Sequence, residues 1–299
     1  MVEKHKKLSM SREDKNFYAA TYALLAVIGL CVSIPLIYIL AASFSSSQEV
    51  IKGAVFLIPK KPTLDGYKAV FENKSIVSGY TNSLFYVFTG TAINIVMTVC
   101  AAYPLSRKDL PGGGFFMMLF TFTMVFSGGM ITTYMLISDL GTRNILWAMI
   151  IPGAISVYNM IITRTFFKNN IPQELWEAAQ VDGCSDLYFF WKMVLPLSKS
   201  IIAVITLYYA ISHWNAYFNA FLYLTNKKLF PLQIILREIL VVNQVNADMI
   251  TDEAMEAKEG LSELLKYSLI VVSVIPVMII YPFVQKHFVK GVMIGSVKG

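Results

Sequence analysis

The sequence is poor in charge. Only 15% of its 299 residues are Asp, Glu, Lys or Arg, whereas 56% are hydrophobic. Soluble domains carry about a quarter charged residues, so this shortage argues against a soluble globular protein and favours a chain solvated largely by lipid. The net charge of +6 does not indicate a nucleic-acid binder, because the basic residues lie beside apolar runs rather than on one polar face.

Motifs for covalent, metal and nucleotide chemistry are also missing. The three cysteines, Cys31, Cys100 and Cys184, make no disulfide framework and are interpreted as free thiols. The three histidines are too scattered for a metal cluster. No phosphate-binding loop occurs, because Gly112-Gly113-Gly114 is followed by Phe115-Phe116 and has no lysine. The sequence therefore predicts no catalytic residue, no metal ligand and no cofactor bound by this chain.

Long apolar runs take the place of these motifs. Each is long enough to cross about 30 Å of hydrocarbon as a helix, which satisfies its own backbone hydrogen bonds there. The sequence thus predicts an all-α integral membrane protein with six transmembrane helices. The predicted spans are residues 17–42, 82–103, 115–137, 146–167, 201–224 and 267–284.

The segments between the spans predict an orientation. Basic residues outnumber acidic ones in the segments that would share a side with residues 1–16, whereas the charges of the other side balance. The positive-inside rule then places both termini in the cytoplasm, together with the loop 168–199 and the tail 285–299. The long connections 43–81 and 225–266 would lie outside.

The predicted core of the protein comprises residues 82–290. In the second outer connection, apolar residues recur at helical spacing and predict an amphipathic helix on the outer membrane surface. These residues are Leu232, Ile235, Leu236 and Ile239.

The loop 168–199 carries the strongest local signals. Pro172 predicts the start of a helix and Gly183 a left-handed end. Ser185 predicts the cap of a second helix that must end before Pro196. Ala178-Ala179 would offer a flat patch that the backbone of another protein could approach. On spacing alone, the loop could equally be an ordinary surface hairpin.

The same loop resembles a known motif. Glu177-Ala178-Ala179, Asp182-Gly183 and Leu195-Pro196 resemble the EAA motif of the membrane subunits of binding-protein-dependent ABC importers. Cys184 departs from the motif, which usually has alanine there. Segments elsewhere resemble the carbohydrate branch of that family and its maltose-type subunit. They are Pro62-Thr63-Leu64-Asp65, the run 101–107, His213-Trp214-Asn215, Phe288-Val289-Lys290-Gly291 and Val297-Lys298-Gly299.

The resemblance implies a type I importer permease of the MetI-like fold, a multi-pass protein of the bacterial cytoplasmic membrane. Ser127-Gly128-Gly129-Met130 and Ser198-Lys199 resemble the subgroup that serves larger or complex oligosaccharides. The expected partners are a second homologous permease, an extracytoplasmic solute-binding protein and two ATP-binding subunits. Those subunits would hold ATP and Mg²⁺ and carry out hydrolysis, while this chain moves an oligosaccharide.

The resemblance also assigns residues to the contact with the ATP-binding subunits. The residues expected to couple this chain to them are Glu177, Ala178, Ala179, Asp182, Gly183, Leu195 and Pro196. The tail residues expected to contact them are Gly291, Val297, Lys298 and Gly299.

Candidate substrate contacts follow from polar residues inside the apolar runs, which tend to face a bundle interior or a cavity. Aromatic faces beside amide groups suit sugars. The candidates are Tyr158, Asn159, Tyr208, Trp214, Asn215 and Asn219. The same residues could instead form interhelical hydrogen bonds or interfacial aromatic belts.

Two other functions stay open. An ABC permease for a non-sugar solute would share the EAA loop but lack the Val297-Lys298-Gly299 tail. A stand-alone channel or secondary transporter would show ionisable residues inside the spans or an inverted repeat. No acidic residue lies within any of the six predicted spans, and no inverted repeat is evident.

Overall fold

The protein is helical wherever its structure is described. The computed structural model describes the backbone of residues 11–247 and 253–296, and the side chains of residues 11–240 and 260–282. Every regular element in these ranges is a helix, which confirms the all-α prediction. The chain divides into two compact units, Met1–Val70 with Ala247–Val272 and Phe71–Asn246 with Ser273–Gly299.

The first unit contains the long helix α1 (Arg12–Ser43) and the short helices α2 (Ser47–Ile51) and α3 (Asp65–Glu72). Ser11 begins α1 with a capping box, in which its hydroxyl accepts the backbone N–H of Asp14. A small apolar core joins the end of α1 to the loop that follows. It consists of Ala41, Ala42, Val50, Val55 and Leu264.

The second unit is a bundle of helices that are often short or interrupted. Its α-helices are α4 (Lys74–Ser106), α5 (Gly113–Val125), α6 (Gly129–Asp139), α7 (Val157–Asn170), α8 (Gln173–Val181), α9 (Asp186–Phe189), α10 (Leu195–Leu197), α11 (Lys199–Trp214), α12 (Tyr217–Tyr223) and α13 (Leu232–Ala247). The last helix, α14 (Glu253–Ser296), has residues in both units.

Three helices among the described residues are long and apolar enough to cross a membrane: α1, α4 and the segment Gly260–Pro282 of α14. Three bent pairs would each complete one further span. They are Gly113–Val125 with Gly129–Asp139 (111°), Leu146–Gly153 with Val157–Asn170 (49°) and Asp186–Leu197 with Lys199–Trp214 (79°). The described chain therefore has three continuous candidate spans, or six if each bent pair counts as one.

The prediction of a continuous helix over residues 115–137 is wrong. The segment breaks between Val125 and Gly129, and Gly129 lies in the left-handed region with φ +82°. The adjacent residues Gly128 and Gly129 have low helix propensity, and glycine adopts a left-handed conformation without steric cost. Apolar composition alone cannot reveal such a break, because both halves are hydrophobic.

The boundaries of three other spans also differ from the prediction. Residues 146–167 begin with two 3-10 turns, Leu146–Met149 and Ile151–Gly153, before α7. Residues 201–224 are interrupted after Trp214, where Asn215 and Ala216 separate α11 from α12. The helix predicted over 267–284 extends to Glu253–Ser296.

The amphipathic helix predicted in the second outer connection exists as α13, but its surroundings differ. Leu232 and Ile235 are buried against protein rather than exposed to lipid. They pack on α4 at Gly79, and the Leu232 N–H donates to the Ser83 hydroxyl at 2.8 Å. The prediction that this face lies on the outer membrane surface is therefore wrong, because a neighbouring helix covers it.

The main core of the second unit joins α4, α7 and α11 to the segment between α8 and α11. Burial of each large apolar side chain there contributes about 1.5–3 kcal/mol. The buried members are Val99, Ala102, Leu105, Met160, Phe167, Phe189, Phe190, Val194, Ile201, Ile205 and Tyr209.

Gly90 of α4 lies directly against the His213 ring of α11. A Cβ atom at Gly90 would lie 2.4 Å from Nε2 of His213, a ring that is itself buried and hydrogen-bonded. Gly90→Ala should therefore lower the free energy of unfolding by about 1–3 kcal/mol, the usual effect of overpacking a core. Thermal unfolding of the detergent-purified protein measures this change.

Gly114→Ala is the matched control for Gly90→Ala. Nothing lies within 4 Å of a Cβ atom at Gly114, which also lies in a helix. This substitution should leave the unfolding temperature unchanged or raise it, because alanine favours a helix by about 0.5–1 kcal/mol over glycine. Equal effects of the two substitutions would contradict the close packing at Gly90.

Candidate functional site

The loop 168–199 folds into the predicted helix–glycine–helix hairpin. Helix α8 ends in a Schellman motif: the N–H of Gly183 donates to the Gln180 carbonyl and the N–H of Cys184 to the Ala179 carbonyl, both at 2.9 Å. Gly183 has φ +74°, as expected of a left-handed end. The Ser185 hydroxyl then accepts the N–H of Tyr188 and caps the second helix. Pro172 lies one residue before the first helical position.

The prediction that the second helix ends before Pro196 is wrong. The helix passes from α9 into a π-helical segment, Phe190–Val194, and continues to Leu197. In this segment the Leu195 N–H donates to the carbonyl five residues earlier, on Phe190. The wider turn disturbs the regular hydrogen-bond ladder just where proline lacks a donor, so Pro196 is tolerated without ending the helix.

The two sides of α8 have different surroundings. Leu175 and Ala179 pack against the main core of the second unit. Glu177 and Ala178 are exposed, and Val181 is 88% exposed. The flat patch predicted from Ala178-Ala179 is therefore half right, because Ala179 faces the interior of the protein and only Ala178 faces outward.

The remaining coupling residues are distributed along the hairpin. Asp182 and Gly183 are exposed at the end of α8, Pro196 is exposed in α10, and Leu195 packs partly into the core. The outward surface also contains exposed Val181 and Trp191, which the sequence reasoning missed. The sequence shows that both residues are apolar, but it does not show which side of each helix faces outward.

A cluster of polar contacts fixes α8 to the end of α4. The guanidinium carbon of Arg107 lies 3.6 Å from the centre of the Trp176 ring. The same guanidinium donates to both carboxylate oxygens of Asp109, at 3.0 and 3.2 Å. Trp176 donates its indole N–H to Asp186 at 2.9 Å. We call these four residues the Arg107 clamp. The hydrogen bond from Arg107 lowers the pKa of Asp109, so the ion pair is complete at neutral pH.

A cavity of about 410 Å³ lies between α7, α11 and α12. Four of the six candidate substrate contacts line it: Tyr158, Asn159, Tyr208 and Asn219. Ser156, Ser212 and His213 line it as well. The cavity thus combines aromatic faces with amide and hydroxyl groups, and its lining includes no Asp, Glu, Lys or Arg.

Hydrogen bonds between α4 and α11 support the wall of this cavity. The Asn94 amide nitrogen donates to the Gly153 carbonyl, so its oxygen accepts from Nε2 of His213 at 2.6 Å. Tyr209 accepts the Ser156 N–H at 3.0 Å and shares a 2.6 Å hydrogen bond with the Thr98 hydroxyl. We call Asn94, Thr98, Tyr209 and His213 the polar seam. Because its groups bond to one another, they are satisfied without water.

Two candidate substrate contacts lie elsewhere. Trp214 is only 4% exposed and is absent from the cavity lining; its indole N–H donates to the Ser273 carbonyl at 3.1 Å. Its ring packs edge-on against Tyr80. Asn215 ends α11, and its amide donates back to the Ile211 carbonyl. Both residues therefore lie outside the lining of this cavity, and their role as substrate contacts stays a prediction.

The predicted tail contacts lie largely outside the described residues. Gly291 falls within α14, whereas Val297, Lys298 and Gly299 are not described. Gly153 and Ser156, which border the cavity, were missed. They flank a break in an apolar run, between Gly153 and Val157, that sequence periodicity does not reveal.

The burial of Trp214 leads to a test of its role. Trp214→Ala should lower the free energy of unfolding by about 3–5 kcal/mol, because it removes a buried aromatic ring and leaves a cavity. Tyr158→Ala removes a ring that is 55% exposed and should change stability little. Thermal unfolding of the two purified variants distinguishes them, and an unchanged unfolding temperature for Trp214→Ala would exclude the structural role.

Comparison with known proteins gives consistent matches over almost the whole chain. The family of binding-protein-dependent transport system inner membrane components matches residues 75–294. The polygalacturonan/rhamnogalacturonan transport system permease protein YtcP of Bacillus subtilis is 41% identical over 96% of this chain and 100% of its own length. The arabinooligosaccharides transport system permease protein AraQ of Halalkalibacterium halodurans is 25% identical over 92% of this chain and 94% of its own.

A solved structure shows the same fold. It is a bacterial ABC transporter involved in the import of the acidic polysaccharide alginate, and one of its chains is 35% identical to this one. The match covers 94% of this chain and all of that chain, with a TM-score of 0.86. The chain therefore belongs to the inner membrane components of binding-protein-dependent transport systems, which are the non-catalytic membrane permeases of ABC importers.

Proposed function

We propose that this permease moves oligosaccharides across the bacterial cytoplasmic membrane. The observation that carries the proposal is the cavity between α7, α11 and α12. It presents the Tyr158 ring beside the Asn159 amide, and its lining includes no charged side chain. Aromatic faces and neutral hydrogen-bonding groups are what a hydroxyl-rich ligand requires, since sugars present both apolar ring faces and many polar edges.

The relatives narrow the class of sugar. YtcP is named for polygalacturonan and rhamnogalacturonan, and the structural match takes part in alginate import. These are acidic polysaccharides, and the two proteins are 41% and 35% identical to this chain, against 25% for AraQ. Fragments of an acidic polysaccharide are therefore the proposed substrates. In this cavity, neutral hydrogen-bond donors rather than a basic side chain would bind the carboxylates of these fragments.

The proposed topology has six spans with both termini in the cytoplasm. Three continuous helices and three bent pairs supply the six spans. The connections 43–81 and 225–266 would then lie outside, and the loop 168–199 and the tail 285–299 inside, in agreement with the positive-inside rule.

The proposed partners are those of the family: a second permease, a solute-binding protein outside and two ATP-binding subunits inside. ATP and Mg²⁺ would be held by those subunits and none by this chain. The hairpin would contact an ATP-binding subunit through Glu177, Ala178, Val181 and Asp182, which are exposed. Closure of the ATP-binding subunits would then shift the permease between two packings.

The two alternative functions have less support. A permease for a non-sugar solute would share the hairpin, but YtcP and AraQ, both named for the transport of sugar polymers, match this chain over 100% and 94% of their own lengths. A stand-alone secondary transporter commonly places ionisable residues within its spans. Acidic residues, which proton-coupled transporters use, occur in none of the six predicted spans.

The substrate role of the cavity can be tested with two asparagines. Asn159→Ala removes a cavity amide and should lower oligosaccharide uptake by roughly threefold to tenfold, the effect of one lost hydrogen bond. Asn215→Ala is the control, because that amide lies outside the cavity lining. Uptake of labelled oligogalacturonate into vesicles containing the complete complex measures both, and equal uptake by the two variants would contradict the proposed site.

The coupling role of the hairpin can be tested at Gly183. Gly183→Pro cannot adopt φ +74° and removes the N–H donated to Gln180, so the end of α8 must rearrange. Stimulation of ATP hydrolysis by the loaded binding protein should then be lost in the reconstituted complex. Gly183→Asn is the matched control, because asparagine tolerates the left-handed region and should keep most of the stimulation. Normal stimulation in the proline variant would rule out this coupling role.

A further inference from the structure

The Arg107 clamp joins two parts of the chain that are far apart in sequence. Arg107 follows directly after α4, whereas Trp176 lies in α8 and Asp186 in α9. The guanidinium makes two kinds of contact: it donates hydrogen bonds to the Asp109 carboxylate, and its face stacks on the Trp176 ring. The Trp176 N–H then continues the chain of contacts to Asp186. The end of α4 is therefore held to α8, and α8 is bonded in turn to α9.

The ring of Tyr103, one helical turn before Arg107, strengthens the same junction. Its centre lies 4.9 Å from that of Phe190, in the π-helical segment of the hairpin. Arg164 in α7 also donates to the Leu105 carbonyl at 2.7 Å. The end of α4 thus has specific contacts with α7 and with the hairpin, although no covalent connection links it directly to the hairpin.

The same half of α4 also contributes to the polar seam, a few turns before Arg107. Asn94 and Thr98 hold Gly153, His213 and Tyr209, three residues that line the cavity. Asn94 and Thr98 lie on one face of α4, four residues apart. A displacement of α4 along or about its axis would therefore carry three points of the cavity wall with it.

We infer that Arg107 is a positioning residue of the transport cycle, and that the Arg107 clamp passes movement of the hairpin to the cavity through α4. The inference rests on the proposed function, since it names the route by which the ATP-binding subunits act on the site. It differs from a route through α11 alone, which would need only the covalent connection from the hairpin to that helix. A rigid helical segment that is bonded at two points, here Asn94–Thr98 and Arg107, can transmit a displacement that a flexible contact would absorb.

The geometry of the clamp requires arginine. A planar guanidinium can bind a carboxylate with two parallel N–H donors while its face stacks on an aromatic ring, and a lysine ammonium cannot do both. Arg107→Lys therefore keeps the positive charge but loses the combination of two parallel hydrogen bonds to Asp109 and stacking on Trp176. Trp176→Phe keeps a ring face for Arg107 but loses the N–H donated to Asp186.

The first experiment measures coupling in the complete complex in proteoliposomes. For Arg107→Lys, the amount of oligogalacturonate imported per ATP hydrolysed should fall by about threefold to tenfold, the range of coupling changes seen along such networks. Trp176→Phe should show a smaller fall, and Trp176→Leu one as large as Arg107→Lys. The double variant Arg107→Lys/Trp176→Leu should be no worse than either single variant, because both break the same link.

Arg143→Lys is the matched control. The Arg143 guanidinium carbon lies 5.0 Å from the centre of the Tyr134 ring, a comparable stacked pair away from the hairpin. This variant should import as much substrate per ATP as the wild type. A fall equal to that of Arg107→Lys would overturn the inference, because the effect would then follow from any lost stacking.

A second readout does not depend on the sugar. Ser212, which is exposed and lines the cavity, is replaced by cysteine after Cys31, Cys100 and Cys184 are changed to serine. A hydrophilic maleimide then reports whether trapping the complex with ATP and vanadate changes access to the cavity. The inference predicts that ATP and vanadate change the labelling rate when Arg107 is present, and that this change is lost in Arg107→Lys.

The two readouts separate the possible failures. A labelling change that is lost in Arg107→Lys supports the clamp even if oligogalacturonate is not imported, in which case the proposed substrate fails instead. Arg107→Lys complexes that assemble poorly, yet once assembled import and label like the wild type, would show a role in stability only and overturn the inference. Unchanged import per ATP together with an unchanged labelling response would overturn it as well.

Discussion

The hydrogen-bonded contact between α4 and α11 is the constraint on which the rest of the second unit depends. This contact contains the four polar side chains of the polar seam, which lie within an apolar bundle. An unsatisfied polar group there costs several kcal/mol. The polar seam avoids this cost because each group bonds to another or to backbone. Gly90 makes the arrangement possible, since only a residue without a side chain admits the His213 ring. The cavity wall is therefore fixed by specific bonds rather than by shape alone.

Several parts of the fold could be predicted from the sequence because their signals are local. Apolar runs predict membrane helices, Gly183 predicts the left-handed end of α8, and Ser185 predicts the cap of α9; the structure contains each of them. Four of the six candidate substrate contacts also lie together in one cavity. Short-range backbone geometry and the avoidance of polar groups in lipid determine these features, and both leave a pattern in the sequence.

The features that could not be predicted depend on partners distant in sequence. Neighbouring helices determine three such features. These are the inward position of Ala179 on α8, the burial of Trp214 and the packing of α13. The break at Gly128-Gly129 and the π-helical segment before Pro196 are local in position, but hydrophobic composition does not report them. The sequence likewise did not predict that the indole of Trp214 donates to the backbone at residue 273.

The Schellman motif at the end of α8 has a consequence for how such a permease can change over evolution. The turn closes through backbone donors and acceptors of Ala179, Gln180, Gly183 and Cys184, so the shape of the hairpin owes little to its outward side chains. Residues 177, 178 and 181 can then be exchanged without loss of that shape. The surface that we propose to contact an ATP-binding subunit can thus change in evolution while the backbone scaffold of the hairpin stays the same.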